Sequence, residues 1–547
     1  MSRRETLLSV ALFFGAAVAV RAVMAAQITF PKPEDTAYYV HVARNLLEGR
    51  GLVSDSLWSY QTPPLVFPRP AFEVWLPLPT FLAAATMALF GATFGAAQVS
   101  SVLVSAVAPV LAWRLAADVA EERGLPTGRA RTLALGTGLA TAVYLPLVLH
   151  GALPDSTAPF TVLVLAAALL MTRLARDPRG ARLSDPRLIA LGVVLGLGAL
   201  TRNEVAVLAL VWVAVAWFMT GASVVARIRL IGGAALVAII VFAPWAYRDW
   251  VVFGSPLPGQ AAANALSVVG HDIFAWNDPP TLARYLAVGP TRLVEMRVEG
   301  TLHNLVNVLL LLGIPLAPIG LAALPWVGRG RALRPLVVFA VAVFLVDSLV
   351  FPVATTWGTF LHAAGAIHVL VVLSCLLLLD AAIARLAVRM GWHRPVAWLG
   401  STLGVFGGLL FTLALIPSFG AGSQGTAAQF KALDHYLIEI GAAPGTDGPI
   451  VTDFPIWMAE ATGAQALALP NEPAADVLDL ARSFPGTRRV VVMGIGDEGG
   501  ALWPDAATTG PGSECFRPEP IAPPPGTLSA DEMEHLRDVR IFVIECP

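Results

Sequence analysis

Long apolar stretches separated by short polar loops dominate the first 417 residues of the chain. A transmembrane helix needs about 20 consecutive apolar residues, and about eleven stretches approach or exceed that length. They are 6–28, 93–118, 131–152, 157–174, 188–201, 204–221, 229–250, 302–326, 335–354, 361–381 and 395–417. The pattern predicts a polytopic α-helical membrane protein.

Charge helps to interpret the first apolar stretch and a further, ambiguous stretch over 72–90. Residues 6–28 follow a charged start, as in a signal peptide, but the stretch is long and contains Arg21, so we expect an uncleaved first span. If 72–90 does not span, all the short Arg-rich loops fall on the cytoplasmic side, as the positive-inside rule requires. These loops are Arg3/Arg4, Arg123/Arg129/Arg131, 173–187, Arg227/Arg229, 329–334 and 385–394. We therefore expect 72–90 to lie in the outer interface, with the N-terminus cytoplasmic.

The pattern changes near residue 420. "PIVTDFP" (449–455), "RRVVVMGIG" (488–496) and "RIFVIEC" (540–546) predict strands, and the segments between them include amphipathic helices. Residues 420–547 are therefore predicted to form an extracytoplasmic α/β domain after a transmembrane module, 1–419. An oxidising compartment would allow a Cys515–Cys546 disulfide, and two unpaired buried thiols are the alternative.

Composition supports a membrane protein. Only 14% of residues are charged and 56% are apolar, whereas soluble domains have about 25% charged residues. The chain has no HExxH, no CxxC pair, no Walker loop and no GxGxxG in a strand–helix setting. Metalloproteases, nucleotide-driven pumps and dinucleotide enzymes are therefore disfavoured.

Polar residues gather where the topology places the outer ends of the spans. Ionisable groups at membrane depth are costly and usually mark a site or a pathway. The group comprises Glu34, Asp35, His150, Asp155, Arg202, Glu204, Arg248, Asp249 and His362. Any chemistry is therefore expected to face outward.

The stretch "PEDTAYYVHVARNLLEGRG" (33–51) predicts an interfacial helix over 35–49 that ends at Gly49. Tyr39, Val42 and Leu46 share one face, which we expect to contact lipid. Asp35 occupies an N-cap position, so a simple cap is the alternative to a functional acid.

Four further motifs contain polar residues, and three of them also have a purely structural interpretation. Asp155 in "HGALPDSTAPF" suits a turn, and Arg202 with Glu204 in "ALTRNEVAVLAL" suits an internal ion pair. Arg248 lies in the aromatic outer turn "APWAYRDWVVFGSPLP". His362 in "TTWGTFLHAAGA" suits a satisfied interface residue.

Taken in order, the five stretches resemble the multispan, lipid-donor glycosyltransferases of the GT-C superfamily, which include protein O-mannosyltransferases and aminoarabinose transferases. The similarity covers an acid opening the first outer loop followed by "YY…A…NLL.G.G", a "PD" turn, "LTR.E", "PW..R…FG.P" and "GTF.H.AGA", and extends into 455–470. Trp357 departs from the pattern, because relatives often have Arg before "GTF". That departure puts one phosphate contact in doubt.

The resemblance implies transfer of a hexosyl or pentosyl group, with inversion, from a polyprenyl-phosphate donor to a glycan, lipid or protein acceptor at the outer face of the inner or plasma membrane. It implies roles for nine residues. The catalytic group would be Asp35 as general base with Asp155 and Glu34; the donor phosphate would be bound by Arg202, Arg248 and His362; the acceptor or sugar would contact Tyr38, Tyr39 and Glu204. Asp35 and Asp155 would also be the ligands of a divalent cation, Mg²⁺ or Mn²⁺, if one is bound.

Three other functions fit an outward polar cluster. One is a transporter or flippase, although no internal repeat is visible. Another is an outer-face glycan polymerase or ligase. The third is a non-catalytic scaffold whose outer domain binds a glycan or a partner.

Overall fold

The computed structural model describes residues 3–177, 184–392, 396–443, 448–495, 510–523 and 527–546. Parts of the predicted loops 173–187 and 385–394, and Gly496 of one predicted strand, lie outside these residues. In the membrane module the helices are α1 Arg3–Gln27, α2 Glu34–Leu47, α3 Leu78–Phe90, α4 Phe94–Ser105, α5 Ala108–Glu122, α6 Thr127–Val143, α7 Leu145–Gly151, α8 Thr157–Arg176, α9 Pro186–Ala199, α10 Val205–Phe218, α11 Val224–Phe253, α12 Ala261–Leu266, α13 Leu282–Ala287, α14 Gly289–Leu302, α15 Leu316–Val327, α16 Arg334–Leu349, α17 Thr359–Ala363, α18 Gly365–Arg389 and α19 Ala397–Glu439. A π-helical segment, His303–Leu311, continues α14.

Six helical segments of the described chain are long and apolar enough to cross a membrane. Two bent pairs bring the number to eight: α6 with α7, bent by 52°, and Gly289–Leu311 with α15, bent by 113°. The last pair contains the predicted span 302–326, and the 113° bend shows that this stretch is not one straight helix. The multi-pass helical architecture is confirmed, and the number of eleven spans stays a prediction.

Small residues allow the helices of the bundle to pack closely. On α9, Gly192 and Gly196 lie four residues apart and face α11. A Cβ atom on Gly192 would lie 2.5 Å from Cβ of Val237, and one on Gly196 would lie 2.6 Å from Cβ of Val241. Because lipid tails are as apolar as the side chains, such close backbone packing is what joins helices inside a bilayer.

The expectation that the apolar face of α2 contacts lipid is wrong. Tyr39, Val42 and Ala43 are buried inside the protein. Val40 and Ala43 pack against Ala83 and Met87 of α3. The opposite, polar face is also covered, so α2 is enclosed by protein; the physical reason is that the C-terminal domain docks on it.

The apolar stretch 72–90 is helical only over α3, which has 13 residues. At 1.5 Å per residue this helix is about 20 Å long and too short to cross the roughly 30 Å hydrocarbon core. Leu89 and Phe90 at its end are exposed. These features agree with the prediction that this stretch does not span.

The C-terminal α/β domain has a six-stranded sheet in the order β2-β5-β4-β6-β8-β7. The first four strands are parallel and the last two pairings are antiparallel. The strands are β2 Ser56–Leu57, β4 Ile450–Thr452, β5 Ala466–Ala468, β6 Arg489–Val492, β7 Phe516–Glu519 and β8 Arg540–Ile544, with helices α20 Pro455–Thr462, α21 Ala474–Ser483 and α22 Ala530–His535; β1 Val53–Ser54 and β3 Arg69–Pro70 form a separate ribbon.

The edge strand β2 comes from the first outer loop, about 390 residues before the rest of the sheet begins at β4. The boundary expected at 419/420 also falls inside α19, a continuous helix of 43 residues. The α/β domain is thus joined to the membrane module through both a helix and a strand, which fixes it against one end of the bundle.

Cys515 and Cys546 form a disulfide that joins the start of β7 to the end of the domain. Replacing both cysteines by serine is expected to destabilise the α/β domain by about 2–4 kcal/mol, because the unfolded chain regains the freedom of the closed loop. Thermal unfolding of purified protein, followed with and without reductant, measures the effect. An unchanged midpoint in the double variant would contradict a structural role for the bond.

Candidate active site at one end of the helical bundle

Helix α2 places Asp35 at the end of the bundle on which the α/β domain lies. The helix begins at Glu34 with Pro33 as its N-cap, and no side chain caps it. The N-cap interpretation of Asp35 is therefore wrong: Asp35 is the second helical residue. The N-cap therefore lies two residues earlier than the sequence suggested, at a proline whose missing N–H costs the helix no hydrogen bond there.

His362 is the residue that Asp35 meets. Oδ2 of Asp35 lies 3.1 Å from Nε2 of His362, and Oδ1 accepts the backbone N–H of Thr36 at 2.8 Å. Both side chains are at most one-tenth exposed. Burial, the largest influence, raises the pKa of Asp35 above its ordinary value, and the nearby Asp155 adds to the rise, whereas the charge of His362 opposes it.

Close backbone packing puts His362 in place. Gly358 has φ +110°, which favours glycine, and a Cβ there would lie 3.3 Å from the His362 ring. Gly365, at the start of α18, packs so closely on Thr161 of α8 that a Cβ would come 1.8 Å from its hydroxyl oxygen. This approach brings Nδ1 of His362 to 2.6 Å from Oγ1 of Thr157.

Asp155 lies between two imidazoles. Its Oδ2 is 3.2 Å from Nδ1 of His150 and 3.6 Å from Nδ1 of His362, and its Oδ1 accepts the N–H of Thr157 at 2.8 Å. Burial acts to raise the pKa of Asp155, but the hydrogen bond with His150 and the neighbouring histidine charges outweigh it and hold the pKa below its ordinary value. Oδ1 of Asp155 makes the turn hydrogen bond that the sequence allowed, whereas Oδ2 contacts the two histidines of the site.

Arg202 lies beside this cluster and is already engaged. It makes two hydrogen bonds to Glu204, at 2.6 and 3.1 Å, and its Nη1 donates to Oγ of Ser156 at 2.8 Å. Nη2 also donates to the carbonyl of Thr359 at 3.1 Å. The internal ion pair that the sequence allowed is present. It holds a guanidinium charge close enough to oppose the rise that burial causes in the pKa of Asp35.

Glu34 faces away from the cluster. Its Oε1 accepts the N–H of Ile456 at 3.1 Å, at the start of α20 in the α/β domain. Burial raises the pKa of Glu34 to about 8. Glu34 is therefore mostly neutral near pH 7, and it docks the α/β domain against the start of α2.

The two tyrosines of α2 are both buried. The hydroxyl of Tyr38 accepts the N–H of Phe72 at 2.7 Å and lies 3.4 Å from Glu73, so Tyr38 holds the first outer loop. Tyr39 lies nearer the cluster: burial raises its pKa first, and the charge of Asp35 raises it further.

Arg248 lies apart from the cluster in the contacts that the described residues show. Its Nη1 donates to Asp249 at 2.9 Å, and its guanidinium stacks on Trp245 and Phe253, with 4.9 and 5.1 Å to the ring centroids. The structure thus brings together Asp35, Asp155, His362, Arg202 and Glu204, and separates Glu34, Tyr38 and Arg248 from them.

His150 and Thr157 are parts of the site that the predicted residue roles left out. His150 stood in the outward polar group, which was a usable signal, whereas Thr157 gave none. Nε2 of His150 is buried and has no hydrogen-bond partner. Such an orphaned atom is expensive unless something binds there.

A divalent cation fits this arrangement in a different way from the expected Asp35–Asp155 pair. Among the described residues, His150, Asp155 and His362 have ligand atoms within 4.8 Å of one another. The orphaned Nε2 of His150 also supports a ligand. Two imidazoles and a carboxylate suit Mn²⁺ or another transition metal better than Mg²⁺, which prefers oxygen ligands.

Comparison with known proteins places this geometry in context. The family of dolichyl-phosphate-mannose-protein mannosyltransferases matches residues 69–248. The crystal structure of ArnT from Cupriavidus metallidurans bound to undecaprenyl phosphate is 14% identical, has a TM-score of 0.55, and covers 98% of this chain and 97% of that one. The chain has the GT-C fold.

Two further solved structures are also similar to this chain. ArnT in the apo state gives a TM-score of 0.52, 14% identity and the same coverage of 98% and 97%. The archaeal oligosaccharyltransferase AglB from Archaeoglobus fulgidus, in complex with an inhibitory peptide and a dolichol-phosphate, is 11% identical, has a TM-score of 0.47 and covers 90% of this chain and 71% of that one. Curated protein sequences give no match. The resemblance to the GT-C superfamily predicted from the five motifs is confirmed.

Proposed function

We propose that this protein is a glycosyltransferase that moves a sugar from a polyprenyl-phosphate donor to an acceptor at the outer face of the membrane. The observation that carries the proposal is the buried carboxylate of Asp35, 3.1 Å from His362 at the outer end of the bundle. The likeness to ArnT, whose structure contains undecaprenyl phosphate, supports the donor class. The acceptor is a glycan, a lipid or a protein.

Asp35 acts as the general base in this proposal. Its Oδ1 accepts one backbone N–H and its Oδ2 faces His362. A carboxylate has about four lone-pair directions, so about two remain, and one of them can accept the hydrogen bond of the acceptor hydroxyl. Thr157 donating to Nδ1 of His362 leaves the Nε2–H directed at Asp35, which orients the carboxylate. A single base with direct displacement gives inversion at the anomeric carbon.

The raised pKa of Asp35 predicts an acid limb in the pH profile. Because the base works only when deprotonated, kcat/KM falls as the pH drops through the Asp35 pKa. The midpoint is expected above the ordinary aspartate pKa of about 3.9. Initial rates from pH 4 to 8, with a lipid-linked donor in detergent, measure it. Rates that stay constant down to pH 4 would contradict this base assignment.

A divalent cation, where bound, would be held by His150, Asp155 and His362, and it would supply positive charge for the leaving phosphate. Asp155, kept ionised by its two histidines, provides the anionic ligand. Binding of the cation through Nδ1 of His362 would displace the hydrogen bond from Thr157, and Nε2 would remain the partner of Asp35. Arg202 adds positive charge beside the same site, and Arg248 offers a second guanidinium at the aromatic outer turn.

Metal removal tests the cation proposal. EDTA is expected to lower the transfer rate at least tenfold, and Mn²⁺ is expected to restore it more fully than Mg²⁺. The His150→Ala variant should need a higher Mn²⁺ concentration for half-maximal activity. Full activity in EDTA after dialysis would exclude a catalytic cation.

The donor assignment is tested by mass spectrometry of lipids that co-purify in mild detergent. A polyprenyl-phosphate sugar is expected, and its mass identifies a hexosyl or pentosyl group. It should be more abundant on the inactive Asp35→Asn variant, which binds the donor without consuming it. Bulk phospholipid alone on both proteins, when lipid added back is also not retained, would overturn the donor class.

We also propose an orientation in the inner or plasma membrane, with the N-terminus in the cytoplasm and the α/β domain outside. The Arg-rich loops and the disulfide of the α/β domain support this orientation. A reporter fused after Cys546 that is active only outside the cytoplasm tests it.

A further inference from the structure

The break between α6 and α7 frees two buried backbone carbonyls from their helical partners. Tyr144, between the two helices, has extended backbone, with φ −77° and ψ 125°. In a continuous helix the carbonyl of Ala142 would accept the N–H of residue 146, but Pro146 has no N–H. The carbonyl of Val143 would accept from Leu147, whose N–H donates to the Tyr144 carbonyl instead, at 3.0 Å. Unpaired carbonyls inside a membrane protein are costly, so other groups must satisfy them.

Side chains from two other helices supply the missing donors. Nη1 of Arg21, on α1, donates to the carbonyl of Ala142 at 2.8 Å. Oγ1 of Thr412, on α19, donates to the carbonyl of Val143 at 2.7 Å. Both donor side chains are completely buried. The charge that the sequence places inside the first apolar stretch therefore has a place in the fold, at the bend between α6 and α7.

Tyr144 joins this bend to the bend of the other helix pair. Its hydroxyl donates to the carbonyl of Gly313 at 2.7 Å, and Gly313 lies between Leu311 and Leu316, where that pair bends by 113°. A Cβ on Gly313 would lie 2.5 Å from the Tyr144 hydroxyl oxygen, so a larger residue would displace this hydrogen bond. The two bends therefore meet at one buried point of the bundle.

Helix α7, which follows the first bend, carries His150 to the candidate site. The helix has only seven residues, so the contacts at the bend largely set its direction. Arg21 contacts both sides of the bend, because a Cβ on Gly151 would lie 2.5 Å from Nε of Arg21. At the other end of α7, Nδ1 of His150 lies 3.2 Å from Oδ2 of Asp155.

A small change at the bend would move His150 by a large amount. His150 follows Tyr144 at a distance of about 9 Å along the helix, given about 1.5 Å per residue. A tilt of α7 by about 10° would therefore move His150 by about 1.5 Å. Functional groups must be held within about 0.5 Å of their working geometry. The contacts of Arg21 and Tyr144 are thus close enough to the site, and stiff enough, to decide whether His150 meets Asp155.

We propose that Arg21 and Tyr144 are positioning residues, which hold the bend between α6 and α7 so that α7 presents His150 to Asp155. Both act on the site through His150. If the proposed cation site holds, the two residues also set the affinity for the cation. That consequence rests on the proposed function, whereas the position of α7 does not.

Hydrogen–deuterium exchange of the full-length protein in lipid nanodiscs tests the position of α7 directly. Tyr144→Phe keeps the ring against His368 and removes only the hydroxyl, and Arg21→Met keeps an unbranched side chain without the guanidinium. In both variants the backbone amides of 147–153 are expected to exchange about tenfold faster than in the wild type, because local opening becomes easier. Peptides from α18 should exchange as in the wild type.

Tyr436→Phe is the matched control, because the Tyr436 hydroxyl also donates to a backbone carbonyl, that of Pro520 at 3.3 Å, in the α/β domain. Its amides over 147–153 should exchange as in the wild type. Wild-type exchange over 147–153 in both Tyr144→Phe and Arg21→Met would overturn the proposal. Equally faster exchange in α18 would also overturn it, since the effect would then be a general loss of stability.

Mn²⁺ binding connects the bend to the site. Electron paramagnetic resonance of free Mn²⁺ should show about tenfold weaker binding by Tyr144→Phe, as for other residues that orient a metal ligand. Adding Tyr144→Phe to His150→Ala should cause no further loss, because Tyr144 acts through His150. Mn²⁺ bound equally tightly by the wild type and Tyr144→Phe would overturn the positioning role. A wild type that binds no Mn²⁺ would overturn the cation site alone, and the exchange experiment would still decide the role of the bend.

Discussion

Replacing Asp35 by asparagine is expected to lower kcat by about 10²–10⁴-fold, the usual contribution of a general base. Asparagine keeps the shape and can still accept the Thr36 N–H, but it cannot take a proton from the acceptor. Donor affinity should stay within about threefold of the wild type, since Asp35 acts on the acceptor side of the reaction. Single-turnover transfer with a lipid-linked donor, together with a separate donor-binding measurement, separates these two quantities.

The neighbouring acid provides the matched control for this experiment. Glu34→Gln removes a carboxyl group one residue away on the same helix. Burial raises the pKa of that carboxyl group to about 8, so it is mostly neutral at pH 7. Its kcat should remain within about threefold of the wild type. If Glu34→Gln lost activity and Asp35→Asn kept it, the roles assigned to the two acids would be reversed.

Replacing Glu460 by alanine is expected to destabilise the docked α/β domain by about 3–5 kcal/mol, the usual cost of removing one member of a buried ion pair. Glu460 on α20 accepts two hydrogen bonds from Arg44, at 2.7 and 2.8 Å, and lies 3.3 Å from Nδ1 of His41. Both partners are on α2. The substitution would leave two buried or half-buried cations without their shared carboxylate.

Thermal unfolding and limited proteolysis of the purified protein measure this loss. Glu534→Ala is the control, because Glu534 is 73% exposed in a surface pair with Arg537 and should change stability by less than about 0.5 kcal/mol. Since α2 also carries Asp35, the Glu460→Ala variant should lose kcat as well. A wild-type unfolding midpoint would contradict the buried ion pair.

The same contact predicts how docking depends on pH. Hydrogen bonds from His41 and Arg44 outweigh burial and hold the pKa of Glu460 below its ordinary value, so its contribution is lost as pH falls through that lowered pKa. Burial acts to lower the pKa of His41, but Asp55 and Glu460 outweigh it and raise the pKa, so the contribution of His41 is lost as pH rises through that raised pKa. Docking is therefore strongest between these two limits, at pH values that include 4.5 to 6.5, the ordinary pKa values of the two groups.

Much of the site could be predicted because its acidic and basic residues lie within or beside apolar stretches, where charged side chains are rare. Asp35, Asp155 and His362 each interrupt or border an apolar stretch, and the positive-inside rule places all three at the same end of the bundle. Their approach to one another then follows from the packing of α8 and α18. The precise partners could not be predicted, because a span fixes depth in the membrane but not rotation about its own axis.

The sequence by itself determined the multi-pass helical class and the GT-C resemblance, because these depend on local hydropathy and motif order. Only the tertiary structure decided that Asp35 faces His362, that His150 joins Asp155, and that Glu34 docks a domain. It alone also placed β2 and α2 against the α/β domain. Except for His150 and Asp155, which lie five residues apart, these arrangements join residues about 330 to 420 positions apart, and their energies come from burial and ion pairing that no local pattern records.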